Sequence, residues 1–213
     1  MMLMMVYLVD DDPSVRKALA RLIRASGYAI KTFASAREFI EFKSETTEVA
    51  CLVLDVRMPG INGLDLQNAL RASNVPIPVI FISAHGDIPM SVQAMKAGAV
   101  DFLPKPVQSK TLLRAIDQAL ARAALTNKNF AEKARLQAGF DSLTPREQEV
   151  LALVVSGRLN KQIAYELGTV EKTVKVHRAR VMEKMGAGSL AELVRIAEKL
   201  GIPAKQVVVE SLP

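Results

Sequence analysis

Continuous apolar runs alternate with segments of helical apolar spacing along the first 125 residues. The runs are rich in branched residues, which is typical of strands buried on both faces of a parallel sheet. They predict five strands, over residues 4–9, 28–33, 49–55, 78–83 and 100–103. The segments between them predict five helices, over residues 13–26, 35–42, 63–72, 88–97 and 108–125. This alternation predicts a parallel sheet with helices on both faces.

The remainder of the chain carries only helical patterns. Residues 126–140 are polar and rich in alanine, so they either continue the preceding helix or form a helical linker that ends at Gly139. Four further helices are predicted, over residues 145–156, 160–167, 171–185 and 190–200. Their starts are marked by Thr144 and Ser189, each three residues before a glutamate in a capping box, and by Asn160 as a cap.

Composition narrows the class of protein. Half of the residues are apolar, which is enough for a substantial core. The one cysteine, Cys51, lies within a predicted core strand, so disulfides and cysteine-based metal sites are excluded and a reducing, cytoplasmic location is expected. The apolar start lacks a basic leader and predicts a strand, not a signal peptide. No apolar run approaches transmembrane length, so no membrane partner is expected.

The positive charge is concentrated in the second half of the chain. Residues 1–120 hold 13 basic and 12 acidic side chains, whereas residues 121–213 hold 15 and 10. An excess of basic residues is expected where a polyanion binds, although a solvated basic surface would give the same count.

Polar side chains follow four of the five predicted strands. They are Asp10 and Asp11 after the first, Asp55 at the end of the third, Ser83 at the end of the fourth and Lys105 after the fifth. Strands of a parallel sheet end at one edge, so these groups can converge. Clustered carboxylates suit Mg²⁺, and a hydroxyl and a lysine beside them suit a phosphoryl group. The pattern predicts a magnesium-assisted phosphoryl-transfer site.

These residues stand in motifs that resemble the receiver domain of bacterial two-component response regulators. The matching stretches are VDDD at 9–12, LDVRMPGINGLDL at 54–66, FISAHGD at 81–87 and FLPKP at 102–106. The resemblance covers residues 1–122 and implies a flavodoxin-like (CheY-like) fold with the strand order 2-1-3-4-5. It also implies that Asp55 is the phosphoacceptor, with a phosphohistidine of a sensor histidine kinase as donor.

The resemblance implies a role for each remaining residue of the site. Mg²⁺ would be held by Asp11, Asp55 and the backbone carbonyl of Arg57, with Asp10 reaching it through water.

Ser83 and Lys105 would contact the phosphoryl oxygens, and Phe102 would be the switch aromatic that turns inward when Ser83 engages the group. The Lys105–Pro106 bond is cis in this family. Arg57 and His85 hold positions that tune hydrolysis of the acyl phosphate, with an effect of unknown sign.

The segment 160–185 has a helix-turn-helix pattern, with a short helix, a turn at Gly168 and a longer basic helix. Core spacing places Val174, His177, Val181 and Met185 inward, and we favour packing over DNA contact for His177. The residues left to meet DNA are Lys172, Thr173, Lys175, Val176, Arg178 and Arg180. Among these, Lys175 and Val176 are the candidates for base contact, and the other basic residues are candidates for phosphates.

The stretches LTPREQEVL at 143–151, NKQIAYELG at 160–168 and TVKVHRARVMEKM at 173–185 resemble the four-helix LuxR-type DNA-binding domain. With residues 123–140 as a helical linker and 141–213 as this domain, the chain resembles the FixJ-like branch of response regulators. Two positions depart from the family pattern. Val170 replaces the usual hydroxyl cap of the recognition helix, unless Thr169 serves instead, and Ala179 replaces a common basic residue.

The combined resemblance implies a regulator that is switched by phosphorylation and is not an enzyme, apart from magnesium-dependent self-phosphorylation. The phosphorylated chain would form a homodimer, bind double-stranded promoter DNA and regulate transcription, as an activator acting with RNA polymerase. The residues expected to form the dimer face are Val92, Met95, Lys96, Asp101 and Arg114.

Two other functions fit the sequence less well. A phosphatase of the haloacid dehalogenase type also uses a strand-end aspartate, but it needs a second aspartate where this chain has Arg57. A phosphorylated adaptor without DNA binding is disfavoured by the basic second helix of the helix-turn-helix pattern. Residues 202–213 are unexplained by either resemblance.

Overall fold

The computed structural model describes residues 4–42, 49–73, 77–84 and 88–202. The chain divides into two compact units, Met1–Lys128 and Asn129–Pro213. The predictions made for His85 and for residues 203–213 lie outside the described residues.

The first unit alternates strands and helices as predicted, with ends that agree to within one or two residues except for the last helix. Its elements are β1 (Met4–Val9), α1 (Pro13–Ala25), β2 (Ala29–Phe33), α2 (Ala36–Glu41), β3 (Val49–Asp55), α3 (Gly63–Ala72), β4 (Val79–Ser83), α4 (Ile88–Lys96), β5 (Asp101–Pro104) and α5 (Ser109–Asp141). The strands form one parallel sheet in the order β2-β1-β3-β4-β5, which confirms the predicted flavodoxin-like topology.

Alternate residues of the central strands fill two cores, one on each face of the sheet. On one face, Val6, Cys51 and Val53 pack against Ile23 of α1 and Ile116 of α5. The other face carries an aromatic and aliphatic cluster under α2, α3 and α4. Both faces are covered, so β1, β3 and β4 read as continuous apolar runs.

Two helices begin beside the carboxyl ends of strands because side chains cap them there. The Asp12 carboxylate accepts hydrogen bonds from the backbone N–H groups of Ser14 (2.7 Å) and Val15 (3.3 Å), and Pro13 is the first helical residue of α1. The Asn62 amide oxygen accepts from the N–H of Asp65 (2.9 Å) at the start of α3. These caps fix the loops that follow β1 and β3.

Helix α5 is longer than the segment that predicted it. It continues without interruption to Asp141, so the expected helical linker is part of the same helix. Gly139 is not a boundary but lies inside this helix. A Cβ atom there would stand 2.9 Å from the backbone oxygen of Lys184, so glycine permits a close approach to the helix that carries Lys184.

In the second unit, the end of α5 is followed by α6 (Pro145–Val155), α7 (Asn160–Glu166), α8 (Glu171–Met185) and α9 (Leu190–Leu200). The predicted helices are therefore confirmed. One core joins them, and its fully buried residues include Val150, Leu151, Ile163, Val174, Val181 and Leu193.

The predicted caps of these helices are only partly correct. Thr144 and Glu147 form the expected capping box at α6. Asn160 does not cap α7, because Leu159 holds the N-cap position and the Gln162 side chain accepts from its N–H (2.8 Å). At α9 the carboxylate of the predicted second box accepts from the N–H of Gly188, one residue before the cap.

Candidate functional site

Three carboxylates meet at the carboxyl edge of the sheet, as the sequence predicted. Asp10 follows β1 directly, Asp55 is the last residue of β3, and one oxygen of each, together with one of Asp11, lies within 4.8 Å of the others. Asp10 is fully buried and Asp55 is 6% exposed, whereas Asp11 is exposed. Two of the three are therefore held away from water, which raises their mutual repulsion.

Lys105 relieves part of that repulsion. Its Nζ donates to Asp10 Oδ2 (2.8 Å) and to Asp55 Oδ2 (2.5 Å), and its backbone N–H donates to the carbonyl of Ser83 (2.8 Å). The Lys105–Pro106 peptide bond is cis, as the resemblance implied. The lysine thus joins the ends of β1, β3 and β4 through hydrogen bonds, two of them charge-assisted.

The electrostatics of the cluster follow from burial and from this lysine. Burial raises the pKa of the Asp10 carboxyl, although the hydrogen bond from Lys105 opposes that shift. Burial disfavours the charged ammonium of Lys105, but its hydrogen bonds to Asp10 and Asp55 outweigh this effect and raise its pKa. The lysine therefore remains a cation throughout the physiological range of pH.

The second carboxylate oxygen of Asp10 and that of Asp55 accept hydrogen bonds from the backbone. Asp10 Oδ1 accepts from the N–H of Asp12 (2.9 Å), and Asp55 Oδ1 accepts from the N–H of Arg57 (3.1 Å). Arg16 adds a contact that the sequence did not predict, because its Nη1 donates to the carbonyl of Asp10 (2.6 Å). These bonds fix the carboxylates of Asp10 and Asp55 and the backbone at Asp10.

The donor set fits a magnesium ion. Magnesium prefers oxygen ligands and is commonly held by one or two carboxylates together with water and substrate oxygens. The three close carboxylates of Asp10, Asp11 and Asp55 offer such a set, and one of them faces solvent. The cluster is therefore compatible with Mg²⁺.

Ser83 and Phe102 lie on β4 and β5, the two strands that follow β3 in the sheet. Ser83 is the last residue of β4 and is 1% exposed. Phe102 on β5 is half-buried, and its ring lies 6.2 Å from that of Phe81, centroid to centroid. The hydroxyl and the aromatic ring are thus on adjacent strands.

The residues predicted for a dimer face lie on three elements of the first unit. Val92 and Met95 on α4 are 45% and 47% exposed, and Lys96 beside them is also exposed. Asp101 on β5 accepts from the N–H of Phe102 (2.8 Å), and Arg114 is exposed on α5. The α4 residues form an exposed patch of mixed apolar and basic character.

In the second unit, helix α8 presents the residues predicted to meet DNA. Lys172, Lys175, Val176 and Arg180 are exposed, while Thr173 and Arg178 are half-buried. No side chain of the described residues caps α8 at Val170, so Thr169 does not replace the missing hydroxyl cap. The first N–H groups of the helix therefore remain available to an anion such as a phosphate.

Arg178 and Lys175 have partners on the protein that sequence reasoning did not find. Arg178 Nη1 donates to the Asn160 amide oxygen at the start of α7 (3.2 Å). Lys175 lies 3.3 Å from Glu171, one turn earlier on the same helix. His177 is half-buried, and its Nδ1 is enclosed without a hydrogen-bond partner among the described residues, which favours the packing role.

An ion pair between a buried glutamate and a lysine at the surface fixes the end of α8 against the start of α6. Lys184 Nζ donates to Glu147 Oε2 (2.7 Å) and to the carbonyl of Ser142 (3.0 Å). Glu147 is 2% exposed, and the hydrogen bond from Lys184 lowers the pKa of its carboxyl to about 2. The sequence identified Glu147 only as part of a capping box, since nothing in its spacing indicates a partner 37 residues away.

Among the described residues, no helix is long and apolar enough to cross a membrane.

Each of the two units matches a known protein family. The model of the response regulator receiver domain matches residues 6–117, and the model of bacterial regulatory proteins of the luxR family matches residues 141–197. Nodulation protein W of Bradyrhizobium diazoefficiens is 49% identical over 93% of this chain and 87% of its own length. The transcriptional regulatory protein FixJ of Rhizobium meliloti is 42% identical over 90% of this chain and 94% of its own.

A solved structure supports the same assignment. The response regulator StyR is 49% identical and superposes with a TM-score of 0.85, covering 92% of this chain and 98% of that one. A receiver fold, a LuxR-type helical domain and relatives named as regulators together define the class. The chain belongs to the response regulators of two-component systems, with a receiver domain and a LuxR-type DNA-binding domain.

Proposed function

We propose that Asp55 accepts a phosphoryl group from a phosphohistidine of a sensor histidine kinase. The observation that carries this proposal is the double contact of Lys105 Nζ with oxygens of Asp10 and Asp55. A carboxylate is a weak nucleophile, so positioning and charge neutralisation supply most of the catalysis in such a transfer. Lys105 offers both, because it orients Asp55 and can follow the negative charge onto the phosphoryl oxygens.

Mg²⁺ would be held by Asp11 and Asp55 together with the backbone carbonyl of Arg57, and Asp10 would reach it through water. The ion would neutralise phosphoryl oxygens during transfer. A cavity of about 500 Å³ opens beside Asp11 and is also lined by Arg57, Met58, Asn62 and Met90. It leaves room for a phosphodonor next to the exposed carboxylate.

The switch would run from Ser83 to Phe102. Ser83 ends the strand between those of Asp55 and Phe102, so its hydroxyl can contact a phosphoryl oxygen on Asp55. Drawing the Ser83 loop toward that group would open space for the half-buried Phe102 ring to turn inward. A packed element with two arrangements converts a local charge change into a surface change.

The surface that would change includes the α4 patch of Val92, Met95 and Lys96. We propose that this patch forms the contact of a homodimer after phosphorylation. The contact would also use Asp101 and Arg114. In a twofold dimer each patch meets its own copy, so exposed apolar residues become buried in pairs. Sedimentation of phosphorylated and unphosphorylated protein tests this step, and equal association constants would rule it out.

The dimer would bind promoter DNA and regulate transcription in the cytoplasm, as an activator that acts with RNA polymerase. Two copies of α8 would enter successive major grooves, about 10 bp apart. Lys175 and Val176 would contact bases, while Lys172, Arg178 and Arg180 would contact phosphates.

Mass spectrometry after incubation with a small phosphodonor and Mg²⁺ tests the phosphorylation site. The acyl phosphate is trapped chemically, and the modified residue is mapped. We expect the mark on Asp55 alone, with Asp11→Ala slowing its appearance by weakening Mg²⁺ binding. Undiminished incorporation in Asp55→Asn would exclude the assignment.

Two lysines on α8 test the DNA assignment as a matched pair. Lys175→Ala should cost about 1–3 kcal/mol of binding free energy on the specific duplex and relax the base preference. The ion pair of Lys175 with exposed Glu171 competes only weakly with a contact to DNA. Lys172→Ala should weaken all duplexes alike and lower the salt slope by about one. Equal loss on specific and scrambled duplexes for Lys175→Ala would make that residue a phosphate contact.

A further inference from the structure

A second cavity, of about 450 Å³, lies in the first unit away from the acidic cluster. It is bounded by α3, the segment that leads into β4, the turn after α4, and α5. This is the amino-terminal end of β4, whereas the acidic cluster lies at the carboxyl ends of the parallel strands. The two sites therefore lie at opposite edges of the sheet.

Three cationic side chains from three different helices line this cavity, namely Arg71 of α3, Lys96 of α4 and Arg122 of α5. Within the described part of the chain, the lining includes no acidic residue and none of the three side chains has an ion-pair partner. Like charges around a concave surface focus a positive potential. The potential favours a ligand that carries a dianionic group such as a phosphate.

A buried amide lines the same cavity. Gln67 on α3 is only 5% exposed, and its Oε1 is enclosed without a hydrogen-bond partner among the described residues. Buried polar atoms in native proteins are nearly always hydrogen-bonded, and an unpaired one is destabilising. A carbonyl oxygen accepts only, so the missing partner is a donor group. A ligand that carries an N–H or O–H donor as well as a negative charge would supply the missing partner.

Most of the remaining lining is apolar and comprises Leu70, Ile77, Pro78, Val79 and Ala97. It is completed by Gly98 and by Thr126, whose hydroxyl donates to the carbonyl of Arg122 (3.0 Å). Small-molecule sites have volumes of about 300–1,000 Å³ and combine apolar walls with a few polar groups. The cavity has this composition and falls within this range of size.

We propose that this cavity binds a nucleoside monophosphate whose base carries an exocyclic amino group. The phosphate would contact Arg71, Lys96 and Arg122, the base would pack on the apolar wall, and its amino group would donate to Gln67 Oε1. The receiver would then have an input site for a small molecule that is separate from its phosphorylation site.

Isothermal titration calorimetry with adenosine 5′-monophosphate tests the proposal on the full chain. The protein carries Asp55→Asn and the buffer contains a chelator, so that neither metal nor the acidic cluster contributes. Arg71→Gln and Arg122→Gln should each weaken binding by about tenfold, as expected for loss of a charged phosphate contact. Arg21→Gln, which changes an exposed arginine of α1 outside the cavity, should leave binding unchanged.

Two comparisons test the role of the amide. Purine riboside 5′-monophosphate lacks the amino group and should bind more weakly than adenosine 5′-monophosphate. Gln67→Met should weaken binding of the latter and raise the melting temperature of the free chain, because it removes an unpaired buried oxygen. No binding at millimolar nucleotide would overturn the proposal. So would an equal loss in Arg21→Gln, or a Gln67→Met variant that melts earlier and binds normally.

Discussion

Gly63 provides a sharp test of how the phosphorylation site is built. It is the first residue of α3, and its N–H donates to the carbonyl of Val56 (2.9 Å) just beyond β3. A Cβ atom at this position would lie 2.5 Å from the backbone oxygen of Asp55 and 3.1 Å from the Phe81 ring. Only glycine lets α3 approach the end of β3 this closely.

The cost of Gly63→Ala can be worked from these distances. Nonbonded heavy atoms prefer about 3.5–4.0 Å, so the new methyl group must move away from a backbone oxygen by about 1 Å. Overpacking of this kind costs about 1–3 kcal/mol, and a backbone neighbour places it near the upper end. The higher helix propensity of alanine offsets less than about 1 kcal/mol of this cost at a first helical residue. We expect a net loss of about 2–3 kcal/mol, or roughly 5–10 °C in melting temperature.

Scanning calorimetry measures this loss, and the rate of phosphorylation from a small donor should fall with it because the Asp55 backbone is displaced. Gly188→Ala is the matched control, since its Cβ would meet only the end of the Glu192 side chain at 3.4 Å. If Gly63→Ala melted and reacted like this control, the close approach of α3 to β3 would not be needed.

Three further predictions concern contacts made by charged side chains. Lys105→Met should lower the free energy of unfolding in metal-free buffer, because it leaves the buried carboxylates without a cation. Mg²⁺ should restore part of that loss. A variant as stable as wild type without metal would contradict this. Asn160→Ala should weaken DNA binding by about threefold to tenfold, because Arg178 loses the acceptor that orients it. Unchanged affinity in a gel-shift titration would argue against this orienting role of Asn160. Glu147 has a folded-state pKa of about 2 against an ordinary 4.5, so its stabilising effect is complete above pH 4.5 and is lost as the pH falls toward 2. Glu147→Gln should flatten this dependence in acid-denaturation curves, and Lys184→Gln should reproduce most of the effect.

The fold was largely predictable because its signals are local. Buried parallel strands require continuous apolar runs, and each helix needs a start signal such as Asp12-Pro13 or Thr144-Pro145. The convergence of Asp10 and Asp55 followed from topology alone, since parallel strands end at one edge.

The contacts between distant residues were not predictable in the same way. Lys184 meets Glu147, and Arg178 meets Asn160, through helix packing that leaves no periodic trace in the sequence. Gly139 illustrates a second limit, because a glycine that breaks a helix and one that admits a neighbouring backbone look alike in sequence. The structure shows that Gly139 admits a neighbouring backbone, because a Cβ atom there would lie 2.9 Å from the backbone oxygen of Lys184.

In the proposed function, a phosphoryl group on Asp55 controls DNA binding by α8. The most direct measurement is the affinity of the full chain for its promoter duplex before and after treatment with a phosphodonor and Mg²⁺, with Asp55→Asn treated in parallel. We predict that treatment tightens binding by wild type at least tenfold and leaves Asp55→Asn unchanged. An equal gain in both proteins, or no gain in wild type despite full modification of Asp55, would contradict the claim.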